Sequence, residues 1–165
     1  MGGGRLKFRP VEFPASSGSL IYRPDEYSFD FAPRLPGGRS ILMNDLQLEV
    51  SEQGLIVYVW GYCPYQTWVP TRAMPDRIER AALAVSGIDQ IPPGASTRLW
   101  DERMPMLWNA GAGWFFVGES VQSTAKPHLE FADGCVAVLD GEELVGLWLH
   151  PQQGTSGLPI PARLG

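Results

Sequence analysis

Between Ile41 and Val50 apolar side chains return at a spacing of two, at Leu42, Leu46, Leu48 and Val50, with Asp45, Gln47 and Glu49 among them. That period turns alternate side chains to opposite faces of an extended chain, so the stretch predicts a strand buried on one face. Ser51-Glu52-Gln53-Gly54 carries turn chemistry, and Leu55 to Tyr62 is β-branched and aromatic enough to be the returning strand of a hairpin. Gly61 and Pro64 break that strand, and Gln66 to Val69 is expected to resume it briefly.

The pattern changes at Pro75. Proline suits a first helical position, Asp76 and Glu79 complement the positive end of a helix dipole, and Ile78, Ala81, Ala82 and Val85 form an apolar stripe. One helix of about three turns, ended by Gly87, is predicted here. Beyond Pro92-Pro93-Gly94 short apolar runs return: Thr97 to Trp100, Met106 to Trp108, Gly113 to Gly118, His128 to Phe131, Cys135 to Leu139 and Leu144 to Leu149. With turn dipeptides at Asp133-Gly134 and Asp140-Gly141 they predict a meander.

Residues 1–39 are rich in Pro, Gly, Ser and Arg, and only Tyr27 to Phe31 alternates as a strand does. The predicted fold class is therefore α+β: a mostly antiparallel sheet, a meander with hairpins, packed against one main helix. Residues 1–150 are expected to form one domain, with 1–39 an irregular lead-in holding one short strand and 151–165 a flexible tail. No apolar run approaches the roughly 20 residues of a spanning helix, and the basic N-terminus has no apolar stretch behind it. A cytoplasmic protein without a membrane role is the expectation.

Charge adds what pattern does not. The net charge is −5 over 165 residues. Acidic and basic side chains balance up to Arg98, whereas from Leu99 to His150 eight acidic residues face only Arg103 and Lys126. Binding to nucleic-acid phosphate needs the reverse arrangement and is disfavoured; a basic partner suits this half of the chain.

The candidate chemistry is sparse. Gly111-Ala112-Gly113 is followed by strand-like Trp114 to Val117 in place of a helix, so it is no dinucleotide loop. Two histidines, His128 and His150, lack metal-ligand spacing, and neither a metal nor a cofactor is expected. Cys63 and Cys135 read as reduced thiols, their separation in space deciding between thiols and a bridge. Cys63, set between a strand end and Pro64, is the more exposed and the better nucleophile for a Cys-dependent enzyme, which is the least favoured reading.

The leading expectation is a non-enzymatic protein-binding inhibitor: a bacterial immunity protein that neutralises a basic toxin domain through an acidic face containing aromatic anchors. Arginine outnumbers lysine 11 to 2, as in proteins of GC-rich, bacterial genomes. The residues expected at the partner are Asp101, Glu102, Trp108, Trp114, Glu119, Glu142, Glu143 and Trp148. The alternative is a small-molecule-binding β-rich domain whose aromatic pocket holds Trp60, Tyr62, Cys63 and Trp68, with Trp114 and Trp148 drawn in if the sheet closes.

Overall fold

The computed structural model describes residues 6–119 and 126–153. Among these residues fifteen strands fall into two sheets. The first is built from β1 (Lys7–Val11), β2 (Ser19–Arg23), β3 (Ser28–Ala32), β4 (Arg39–Met43), β5 (Leu46–Val50), β6 (Leu55–Tyr62), β9 (Ala82–Ser86) and β10 (Ser96–Arg98). The second holds β7 (Val69–Pro70), β8 (Ile78–Arg80), β11 (Met106–Asn109), β12 (Trp114–Gly118), β13 (His128–Ala132), β14 (Cys135–Asp140) and β15 (Glu143–Leu149). Two single 3₁₀ turns, Tyr65–Thr67 and Ile88–Gln90, are the helical elements among the described residues.

This overturns the α+β expectation: the described residues are nearly all β, and no main helix among them packs on the sheets. The segment read as a helix from Pro75 is two strands in different sheets. Ile78 lies in β8 beside β13, and Val85 lies in β9 between β1 and β6. The chain crosses from one sheet to the other at Ala81, whose amide donates to the Glu130 carbonyl at 3.3 Å. Helix propensity is a weak prior, and ladder bonds on both sides of β9 outweigh it.

The single strand expected over Ile41–Val50 is likewise two. Asn44 takes the left-handed conformation (φ 55°) and reverses the chain, so β4 and β5 pair from Met43↔Leu46 to Arg39↔Val50. An asparagine tolerates that conformation better than most residues with a Cβ. The Leu55–Tyr62 strand is present, as are β10 to β15 close to their predicted positions. Their order, β11-β12-β15-β14-β13, differs from a simple meander: β12 lies against β15, so β12 to β15 make a Greek-key arrangement.

The inner faces of both sheets share one core. Phe8, Phe29, Phe31, Ile41, Leu48 and Val59 from the first meet Trp108, Phe115, Leu129, Phe131 and Leu147 from the second, all buried. Rings contact edge to face across the gap, Phe29 with Phe115 at 5.3 Å and Tyr22 with Trp68 at 4.9 Å between centroids. Phe116, Val136, Val138 and Trp148 are buried on the other side of the second sheet, with Ala73 and Trp114 against them.

Residues 151–153, expected to begin a loose tail, dock on β2. The Gln152 amide donates to the Leu20 carbonyl at 2.7 Å, and the Gln153 side chain exchanges bonds of 3.3 and 2.8 Å with the Tyr22 backbone. The tail from 154 onward lies outside the described residues. Among the described residues no helix is long and apolar enough to cross a membrane.

Candidate functional site

The β4–β5 turn organises one end of the molecule. The Asn44 side chain donates to the Met104 carbonyl at 2.7 Å and accepts from the Met104 amide at 2.9 Å, while Arg98 donates to the Asn44 carbonyl at 2.9 Å. These bonds hold the segment before β11 against the turn. Beside it opens a cleft of about 650 Å³, whose lining includes Asp45, Tyr62, Cys63, Arg103, Met104 and Met106. Arg103 and Asp45 pair at 2.8 Å on its rim, and Tyr62 is 51% exposed.

Cys63 sits at the inner wall. Its amide donates to the Tyr27 carbonyl at 2.7 Å, its carbonyl accepts from the Tyr22 hydroxyl at 2.6 Å, and its sulfur accepts from Trp68 Nε1 at 3.4 Å. Burial pushes the Cys63 thiol up to about 12, and the Trp68 N–H offsets only part of that. Burial also pushes Cys135 up, in the core where Cys135 faces between the sheets. Cys63 is therefore not the exposed thiol expected: it is buried and protonated at neutral pH. The two cysteines are free. Among the described residues no three His, Cys, Asp or Glu side chains converge as metal ligands do.

Strand register brings further carboxylates toward one end of the second sheet. β11 starts where β12 finishes (Met106↔Val117), β12 finishes against the middle of β15 (Gly118↔Gly146), and β15 starts where β14 finishes (Asp140↔Glu143). Glu119, just past β12, donates its amide to the Val145 carbonyl at 2.9 Å, two residues into β15 from Glu143. Asp101 and Glu102 fall in the segment leading to β11, between Leu99, whose amide bonds Leu42, and Met104, clamped by Asn44. The cations there are modestly engaged: Lys7 with Glu142 at 3.9 Å and Lys126 with Asp140 at 3.4 Å, both solvent-exposed pairs that contribute little to stability.

The residues expected at the partner therefore divide. Asp101, Glu102, Glu119, Glu142 and Glu143 are exposed: Glu119, Glu142 and Glu143 lie toward one end of the second sheet, Asp101 and Glu102 beside the Asn44 turn, and the Glu142 carbonyl accepts from Phe8 at the far edge of the first sheet. Trp108 and Trp148 are sealed inside, at 0% and 1% exposure. Trp114 is half-buried but opens β12, whereas Glu119 follows its end; five strand residues, roughly 16 Å, separate them. Of the pocket residues, Tyr62 and Cys63 line the cleft. Trp68 is buried behind Cys63, and Trp60 lies elsewhere, its ring under Arg34 at 4.7 Å and its N–H on Glu49 at 3.1 Å. Asn44, Arg103 and Met104 escaped the sequence reading; the Asn44-Asp45 dipeptide within an alternating run was the signal available for the turn.

No protein-family model matches the chain, and no curated protein matches it.

Proposed function

We propose that this chain is a non-enzymatic binding protein that captures a basic protein domain on its acidic end, acting in the cytoplasm as a bacterial immunity protein does on a toxin. One observation carries the reading: register brings Glu119, Asp140, Glu142 and Glu143 toward one end of the second sheet. Carboxylates so grouped steer a cationic partner and accelerate its association more than they tighten the final complex. Affinity then comes from apolar contact, and the cleft beside Asp45 offers Tyr62, Met104 and Pro105 for it.

The buried thiols weigh against a Cys-dependent enzyme. A ligand enclosed by the strands, among Trp60, Tyr62, Trp114 and Trp148, finds no support, because the space between the sheets is filled by rings. The small-molecule alternative retains only the surface cleft with Tyr62 and Cys63.

Affinity capture from the native host, using the wild-type chain and the double variant Glu119→Lys/Glu142→Lys, tests the proposal. A basic protein retained in stoichiometric amount by the wild type and lost from the variant is the expected result. Retention of no stoichiometric protein, or equal retention by both, removes it.

A further inference from the structure

At the other end of the second sheet a groove of about 470 Å³ opens, and Trp114, Glu130, Asp133, His150 and Gln152 are among the residues that line it. Trp114 is backed by His150, ring centroids 4.4 Å apart and tilted by 32°, and its plane meets Trp148 edge to face at 6.0 Å. His150 Nε2 in turn lies 3.2 Å from the Ala112 carbonyl. The indole is thus fixed in orientation while remaining half-buried at the groove wall.

The two carboxylates are equally fixed. Arg80 bonds Glu130 Oε1 at 2.9 Å and Asp133 Oδ1 at 2.7 Å. The second oxygens accept backbone amides, Glu130 Oε2 from Gly134 at 3.0 Å and Asp133 Oδ2 from Gly18 at 2.9 Å. Each carboxylate oxygen keeps a further lone pair, since an ionised carboxylate offers about four acceptor sites. Arg80 bridges the two carboxylates.

The groove therefore presents acceptors of fixed geometry next to one rigid aromatic surface. Anions are repelled by the carboxylates. A ligand that fits has several O–H donors and a flat C–H face, and its volume lies in the range of small-molecule pockets, about 300–1,000 Å³. We propose that this groove binds a neutral saccharide, its ring lying on Trp114 and its hydroxyls donating to Glu130, Asp133 and the Gln152 side-chain carbonyl oxygen. Preorganised acceptors lower the ordering cost that weakens most polyol binding. The site is separate from the acidic end: Trp114 begins the strand that Glu119 follows.

A glycan microarray probed with the full chain, then titration of the strongest neutral oligosaccharide, tests this. Binding that weakens about tenfold or more in both Trp114→Ala and Gln152→Ala, with near-ultraviolet circular dichroism retained in Gln152→Ala, is expected. The same titration is unchanged by Glu119→Lys and nearly constant from about 50 to 500 mM salt, because a neutral ligand is not screened. An array without a retained glycan overturns the proposal. So does glycan binding indifferent to Gln152→Ala, or uptake of tetramethylammonium chloride in preference to every saccharide, which would make the groove a cation site.

Discussion

Cys63 and Cys135 show how surroundings decide what a reactive side chain does. Both thiols are buried, and in each case loss of water is the largest cause of a raised pKa. Iodoacetamide at neutral pH is expected to label neither in the native protein and both after unfolding in guanidinium, read by mass spectrometry. The same burial sets a pH dependence. A folded pKa above the unfolded value means the native state keeps its proton, so the contribution is complete below the unfolded thiol value of about 8.5. It is lost as pH rises toward about 12 at Cys63. Urea midpoints are therefore expected to fall above that lower value, and Cys63→Ala to flatten the decline.

Trp108 makes a different point. It is fully buried against Trp68 and Phe115, yet its Nε1 has no hydrogen-bond partner. Packing alone justifies it, so Trp108→Ala is expected to cost about 3–5 kcal/mol by the cavity it leaves. Trp108→Phe gives back part of that loss by removing the orphaned donor. Denaturant titration of the two variants separates the contributions; equal losses would assign Trp108 a polar role that the core does not display.

Among the elements, strands with strong local pattern were legible and their partners were not. Cys135–Asp140 and Glu143–Leu149 are apolar runs joined by Asp140-Gly141, and Gly141 takes φ 62° at that turn. Lys7–Val11 and Ser19–Arg23 were missed, because each is short, lies among prolines and charges, and earns its place from β9 and β3 alongside. The Ala81 to Val85 run has good helix formers, but pairing with β1 and β6 decides its conformation. The candidate site follows the same logic: Trp114 and Glu119, close in sequence, part to opposite strand ends, while Glu119 and Glu143 are brought toward one end of the second sheet by register. Gly61 sits where β6 meets β5, at φ 136°, and a Cβ there would lie 2.6 Å from the Asp45 carbonyl. Gly61→Ala is expected to cost about 1–3 kcal/mol and to disturb the Asn44 turn, visible as a lowered thermal midpoint.

The whole molecule presents two unlike ends on a filled interior. One end of the second sheet carries Glu119, Asp140, Glu142 and Glu143, with the Tyr62 cleft at the start of β11, and the other end carries the Trp114 groove with its Arg80-bound carboxylates. Among the described residues, aromatic and aliphatic side chains from both inner faces meet and fill the space between the sheets. Function on this account is a surface property, and its electrostatic part has a kinetic signature. The deciding measurement is stopped-flow association of the wild-type chain with the basic partner it captures, followed from about 50 to 500 mM salt. The rate is expected to fall steeply with salt for the wild type, and Glu119→Lys/Glu142→Lys to be slow throughout and nearly flat. Equal, salt-independent rates for both proteins would contradict the acidic end as the docking surface.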